Sequence, residues 1–543
     1  MGQAHFRAAM FGLTVVCGGV GGLLMSASNV QAQGATQSTQ VGAAAISGFK
    51  QAIAETASRD EALAAFYAAR EYAPVWTTGA DAARREALFT ALANADRHGL
   101  PTARYNAEAL RAKFGTVASE RARGVLDAEM SLAYLAYAQD LTSGVLTPSK
   151  IESTIVREIK QHDHGEMMAG IAGADPAKYI AGLAPQNPQY AQLQRTKIEI
   201  EAALATTGWG DTVPGGKLVP GSKGAPVIAL RNRLQAMGYL GRSATAEYDA
   251  DLQTAVQQFQ IDMGIQSDGI AGEGTLREIN VDPKERLKSV IVAMERLRWM
   301  DGEQFKDRFI WVNLPDFTVR IYDDHKMTFE SVTVIGQNQG DRKTPEFSDE
   351  MEVMVINPTW HVPRSITVKE YLPMMKRNAG AAGHIKVVDR NGRVVPRNKI
   401  NFGAYTERNF PYSMKQPPSD GNALGLVKFL FPNKYNIYLH DTPSKSLFSK
   451  EVRAFSHGCV RVGKPFDLAY ALLAKQTETP EADFKKWLGS GNETTVKLQK
   501  KVPVHLVYFT AWPSVSGRME YRRDVYGRDV AIWDALEKLG TTL

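Results

Sequence analysis

"AFSHGCVRV", residues 454–462, holds one of the two cysteines in a chain of 543 residues. A free thiol, with its pKa near ~8.5, is mostly protonated at neutral pH, so a nucleophilic cysteine needs a base and donors for the oxyanion that follows attack. The nearest base candidate outside the stretch is His440 in "YNIYLHDTP" (435–443), nineteen positions before Cys459. The polar, turn-rich run between them, "DTPSKSLFSKEVRAFS" (441–456), suits a loop that brings the chain back beside His440. Within the quoted stretch, extended backbone would put His457, Cys459 and Arg461 on one side. Gly458 lets the chain bend, so that N–H groups near Cys459 aim at a developing oxyanion. Arg461 either carries a carboxylate or pins the loop. The plainer alternative is that Cys459 is a small buried apolar residue. Two histidines and a thiol also raise the idea of zinc, but no HExxH or CxxC spacing is present, so no metal is expected.

Outward from this stretch the texture is β. "FIWVNL" (309–314) and "FTVRIY" (317–322) alternate apolar and polar positions around Pro315-Asp316, which reads as a hairpin turn. "SVTVIG", "EVMVINP", "YNIYLHD" and "PVHLVYF" are further strands, and 464–475 is a helix laid on the sheet. Residues from about 358 to 432 interrupt the strands with a polar, Gly- and Asn-rich stretch. An insertion of that length reads as a cap or binding loop, with Trp360 either against a ligand or in plain core.

Residues 1–32 read as a signal peptide. Arg7 supplies the charge, 8–25 is an apolar run containing Cys17, and "VQA" (30–32) offers a cleavage site; retention as an inner-membrane anchor is the alternative. Once the signal is removed, Cys459 is the sole thiol and an internal disulfide is impossible. Residues 33–215 are a helical scaffold, Ala-rich with apolar residues at three and four. "TGWGDTVPGGKLVPGSKGAP" (207–226) is a Gly/Pro-rich boundary. In 216–282, Val227, Leu230, Leu234 and Met237 share one helical face. Leu252, Ala255, Val256, Phe259 and Met263 share another, with Asp249 as N-cap and a third short helix following. The expected architecture is thus multi-domain α+β. A mainly β domain spans 283–515, beginning with a helix over 283–300, and 516–543 is a C-terminal tail. A net charge of +6 without a Lys/Arg run argues against nucleic acid and fits a basic surface near an anionic envelope.

Two resemblances refine this. "LRNRLQAMGYL", "AVQQFQ" and "DGIAGEGT", in that order, resemble the peptidoglycan-binding domain found on cell-wall enzymes. "SHGCVRV" with its upstream histidine resembles the L,D-transpeptidases, whose signature is a His, a gap of this size, then Ser/Thr-His-Gly-Cys, an aliphatic residue and Asn or Arg. "RKTPEFSDEMEVMVINPTWHVPRSI" (342–366), "NALGLVKFLFPN" (422–433), "YLHDTPSKSLF" (438–448) and "YFTAW" (508–512) resemble the large periplasmic subclass, as do "FYAAREYAPVW" (66–76) and "HGLPTARYN" (98–106). The resemblance implies that Cys459 attacks the third-residue carbonyl of a peptidoglycan tetrapeptide and expels D-Ala. His440 then serves as base and acid, and a diaminopimelate side-chain amine takes the acyl group. It implies no cofactor. Gly458, Asp441 and His457 are oxyanion or orienting groups, and Trp360, Asn422, Ser456 and Arg461 contact the substrate. Many members carry Gly where Asp441 stands. A carbonyl there orients the imidazole, so the third member of the triad stays open between that carbonyl and the new carboxylate. The partners implied are peptidoglycan stems and glycan, carbapenem β-lactams as inhibitors, and other wall-synthesis enzymes. Hydrolysis, D-amino-acid exchange or lipoprotein attachment remain alternative fates of the acyl group. A papain-like peptidase would place its cysteine before the histidine, and a wall-binding protein without catalysis would not need both Cys459 and His440.

Overall fold

The computed structural model describes residues 47–543 except 174, 301, 303, 304 and 306. The signal-peptide reading of 1–32 lies outside the described residues, as does Cys17. Among the described residues, no helix is long and apolar enough to cross a membrane.

The scaffold is built on one long helix, Glu120–Ser143. It crosses the first helix, Gly48–Ala57, so closely at Gly124 that a Cβ there would lie 2.3 Å from the Phe49 carbonyl oxygen, which is why the residue has no side chain. Asp127, fully buried on the same helix, accepts from the N–H groups of Val75, Trp76 and Thr77, each at 3.0 Å, and from the Tyr67 hydroxyl at 2.7 Å. A buried carboxylate survives only with such partners, and here it caps the turn that carries Trp76 into the core.

The next unit has three helices, Ala225–Ala236, Ala250–Asp262 and Glu273–Ile279. Val227, Leu230, Leu234, Leu252 and Val256 are fully buried, and Asp249 caps the second helix by accepting the Leu252 N–H at 2.9 Å. The helix Pro283–Arg298 follows and packs against Pro188–Leu204 of the scaffold. Its apolar residues join those of the three-helix unit and one face of the β domain in a single core.

The β domain is a nine-stranded sheet that closes on itself. Its strands are β1 (Arg308–Asn313), β2 (Thr318–Asp323), β3 (Lys326–Gly336), β4 (Phe347–Ile356), β8 (Val427–Leu430), β9 (Leu439–His440), β10 (Ala454–Ser456), β11 (Val460–Val462) and β12 (Thr494–Val507). The order is β10-β3-β11-β9-β8-β4-β12-β1-β2, and β2 also pairs with β3, so the ends of the order meet. Strand alternation sorts the side chains. Ile310, Val312, Val504 and Leu506 face the inner core, while Phe309, Trp311 and Val507 face the helix Pro283–Arg298. Both faces are covered, and that is why β1 reads as almost continuously apolar. Helix Pro465–Leu473 packs on the inner core.

The insertion leaves the ring after β4 and rejoins it at β8. Residues 427–430, expected inside the insertion, are therefore a ring strand, with Val427 and Phe429 turned to the core. The cap proper carries β5 (Trp360–His361), β6 (Lys386–Val388) and β7 (Ser413–Gln416) in the order β5-β7-β6, with a helix at Leu372–Arg377. It has a separate core that includes Trp360, Leu372, Met375, Phe402, Phe410 and Met414.

Residues 516–543, expected only as a tail, are folded. β13 (Ala511–Pro513) pairs with β14 (Met519–Tyr521), and a helix at Arg528–Lys538 buries Ile532, Trp533 and Leu536. Arg528 is itself fully buried, 3.1 Å from Glu346, and Glu346 also pairs with Arg296 at 2.5 Å. Removing one partner of such a pair typically costs ~3–5 kcal/mol. The C-terminal helix, the helix Pro283–Arg298 and the ring are therefore fastened at one point.

Candidate active site

β9 and β11 are neighbours and parallel, with Leu439 opposite Val460 and His440 opposite Arg461. Leu439, Val460 and Val462 are fully buried in the ring's core. By alternation Tyr438, His440, Cys459 and Arg461 share the other face. The loop of 441–456 thus returns the thiol to the strand beside its histidine.

His440 is buried, and its Nδ1–H donates to the carbonyl of Asp441. Burial, followed by the charge of Arg461, pulls the imidazole pKa down to about 3, against the opposing pull of the Asp441 and Leu424 carbonyls. The Asp441 carboxylate is turned elsewhere: it accepts from Leu426 N–H at 2.9 Å and Thr442 N–H at 2.7 Å and pairs with Lys445. The group that orients the ring is a backbone carbonyl, and the carboxylate braces the turn around it.

Cys459 is partly exposed, with its Sγ 3.5 Å from the Asn436 carbonyl. Burial pushes the thiol up to about 11, although the N–H and hydroxyl of Tyr438 and the charge of Arg461 favour the thiolate. Both groups are therefore neutral at physiological pH. Burial thus favours the neutral form of each group, thiol and imidazole alike. The Tyr438 ring centroid lies 5.7 Å from that of His440, and its hydroxyl also acts on the Cys459 thiol. Tyr438 is legible in sequence only as the residue two before His440 on a strand.

Gly458 has φ +115°, a conformation other residues rarely adopt, and a Cβ there would come within 3.1 Å of Ile437. The backbone from 457 to 459 is bent, so the alternation expected between His457 and Cys459 does not hold. The His457 side chain points to the cap: its Nε2 lies 2.6 Å from Oε1 of Glu370, which also accepts from Arg342 at 2.7 Å.

Three residues expected against substrate are occupied within the protein. Ser456 is buried; its hydroxyl accepts the Gly458 N–H at 3.1 Å and donates to the Cys459 carbonyl at 2.5 Å. Asn422 is fully buried and donates to the carbonyls of Pro358, Gln416 and Pro417 at 3.0, 3.2 and 2.9 Å. It ties the two ends of the cap together. Trp360 lies in the cap core, its ring 6.3 Å from Tyr371, with Tyr438 packed against the same core. Arg461 differs from these three: its Nε is buried and has no hydrogen-bond partner among the described residues. Among those residues, no His/Cys/Asp/Glu group could hold a metal ion.

A single thiol, a buried neutral imidazole and a backbone carbonyl behind it make up the equipment of a cysteine acyl-transfer site. Residues 307–480 match the family model of the L,D-transpeptidase catalytic domain, 223–279 that described as "Putative peptidoglycan binding domain", and 61–196 that of the scaffold domain. The β domain thus matches the L,D-transpeptidase catalytic domain, and the three-helix unit a peptidoglycan-binding domain. A "Putative L,D-transpeptidase" of Haemophilus influenzae is 34% identical over 237 residues, 42% of this chain and 47% of that protein. The chain thus spans about half the length of that curated relative. Among solved structures, an L,D-transpeptidase from Xylanimonas cellulosilytica is 15% identical with a TM-score of 0.17, covering 55% of this chain and 98% of that one. One from Stackebrandtia nassauensis is 16% identical with a TM-score of 0.20, covering 55% and 96%. Those scores are too low to carry an argument.

Proposed function

We propose that the protein is a peptidoglycan L,D-transpeptidase acting in the cell wall or periplasm, with Cys459 as nucleophile and His440 as base and then acid. The observation that carries this reading is the pairing of β9 with β11, which sets the sole thiol of the described residues beside a buried imidazole in a domain of matching family. The donor is a tetrapeptide stem. The sulfur forms a bond to the third-residue carbonyl carbon, the C–N bond to D-Ala breaks, and His440 hands the thiol proton to the leaving amine. The side-chain amine of an acceptor stem then attacks the thioester, and the thiol is regenerated. The unpartnered Nε of Arg461 is suited to a carbonyl or carboxylate of the donor. On this reading 33–215 is scaffold, 216–282 holds the enzyme on the wall, and 283–515 carries the chemistry. Carbapenems acylate Cys459, and the N-terminal segment directs export.

Incubation with tetrapeptide-rich sacculi, followed by mass analysis, tests the reading. We expect loss of D-Ala and new links between two third residues, and Cys459→Ala should abolish both. D-Ala loss without cross-links would make water or a free D-amino acid the acceptor; unchanged muropeptides would overturn the proposal.

A further inference from the structure

The peptide that leads into Cys459 is held by a part of the chain that neither the motif nor the cap accounts for. Thr344 is fully buried, and its hydroxyl donates to the Gly458 carbonyl at 2.7 Å while accepting the Gly336 N–H at 2.9 Å. The residue is held from behind by the C-terminal segment: the Tyr526 hydroxyl accepts the Thr344 N–H at 3.2 Å and donates to the Gly336 carbonyl at 2.6 Å, and Arg528 donates to the Thr344 carbonyl at 2.9 Å. All of these partners are buried, so the bonds are shielded from water.

The consequence follows from peptide geometry. In a trans peptide the C=O and N–H point in opposite directions from one rigid plane. The Gly458 carbonyl belongs to the peptide whose N–H is that of Cys459. Fixing the carbonyl on buried Thr344 therefore turns the Cys459 N–H away from the core. Among the described residues, no acceptor is hydrogen-bonded to that N–H. The next carbonyl, that of Cys459, is pinned by Ser456. Two hydroxyls thus set the planes on either side of the nucleophile. At φ +115° Gly458 gives the loop little resistance to rotation of that plane, so the Thr344 bond is the constraint.

We infer that Thr344 is a positioning residue for the oxyanion: its hydroxyl aims the Cys459 N–H at the tetrahedral intermediate and does not itself touch substrate. The inference rests on the acyl-transfer reading above but names a group that reading does not use. Loss of a single oxyanion donor typically costs ~10²–10³ in rate, and misaiming one costs part of that.

The test compares two reactions of the same thiol in the full chain. An activated ester, p-nitrophenyl acetate, acylates Cys459 through a tetrahedral oxyanion, whereas iodoacetamide alkylates it by displacement with no oxyanion. Both adducts are followed by mass at Cys459. Thr344→Val, which keeps the shape and removes the hydroxyl, should slow acylation about tenfold or more and leave alkylation within about twofold of wild type. Thr344→Ser should restore acylation. Acylation unchanged in Thr344→Val overturns the inference. So does a parallel fall in both reactions, which would mean that the loop has simply come apart, and so does failure of Thr344→Ser to restore the rate. Because the ester probes the thiol and not the stem, a wild-type protein that acylates normally but leaves sacculi unchanged would count against the proposed substrate and not against Thr344.

Discussion

The strand pair that carries the thiol and the cap that lies beside it are secured in different ways. β9 and β11 are part of a closed ring, with Leu439, Val460 and Val462 fully buried in its core. The cap has its own core and reaches the catalytic loop through a few polar or aromatic contacts: Glu370 with His457 and Arg342, Lys369 with Asp341, and Trp360 with Tyr438. Of these, the exposed ion pairs contribute little to stability, whereas the ring's apolar contacts are stabilising and cooperative. The machinery that must hold its geometry is therefore built into the core, and the element beside it is joined by contacts that can exchange.

The sharpest break in that comparison is His440→Ala. Loss of a general base costs ~10²–10⁴ in acylation rate. Because burial raises the Cys459 thiol to about 11, the variant's rate should climb with pH toward 11 and not level off near the free-thiol value. In the wild type the imidazole is already neutral well below its usual range, so activity should persist on acidification through 6.5 and fall only as pH approaches about 3. A wild-type acid limb centred near 6.5, or a variant plateau near 8.5, would show that the site is wetter than its burial implies. The converse assignment is tested by His457→Ala, which removes a tie to the cap and should leave the thiol's pH profile in place.

Next in size is Asn422→Ala. It removes the donor to the carbonyls of Pro358, Gln416 and Pro417, the first two in buried bonds, and each buried group left unsatisfied costs ~1–3 kcal/mol. Hydrogen exchange should quicken across the cap, with β9 and β11 still protected. Equal loss of protection in both regions would mean that cap and ring unfold as one unit. The smallest effect belongs to Glu370→Ala, which removes both the His457 and Arg342 contacts. Stability should change by ~0.2–1 kcal/mol and the KM for a stem peptide by no more than about threefold. A large fall in melting temperature would place the cap among the elements that hold the ring together.

The sequence made some of this visible and hid the rest for physical reasons. Periodicity is local, so the strands around His440 and the two helices capped and faced by Asp249, Leu252 and Val227 could be read directly. The resemblance carried by His440 and 456–461 pointed to a candidate site, while its third member stayed open, because whether a carbonyl or a carboxylate meets the ring depends on the turn at Asp441. Asn422, Ser456 and Trp360 look like binding residues on paper. Their hydrogen bonds run to groups tens of positions away or to their own loop, and no pattern announces that. Tyr438 could have been found by counting two back from His440. Thr344 could not, since its partner lies more than a hundred positions later. The C-terminal helix did carry a signal in the spacing of Ile532, Trp533 and Leu536, but a short hairpin before it gives no sign until its partner surface is known.

Closure of the sheet has a consequence for how the molecule comes into being. Ile310 of β1 sits opposite Val504 of β12, so the ring is sealed by joining segments nearly two hundred positions apart. Such long-range pairing carries a loop-closure cost before it is rewarded and makes folding slow. β9, β10 and β11 are all synthesised before β12. The Cys459 thiol therefore exists for a time on an unfinished barrel, with neither the ring nor the C-terminal segment around it. In that interval it is an ordinary exposed cysteine, open to oxidation, and the final strand that closes the ring also ends that exposure.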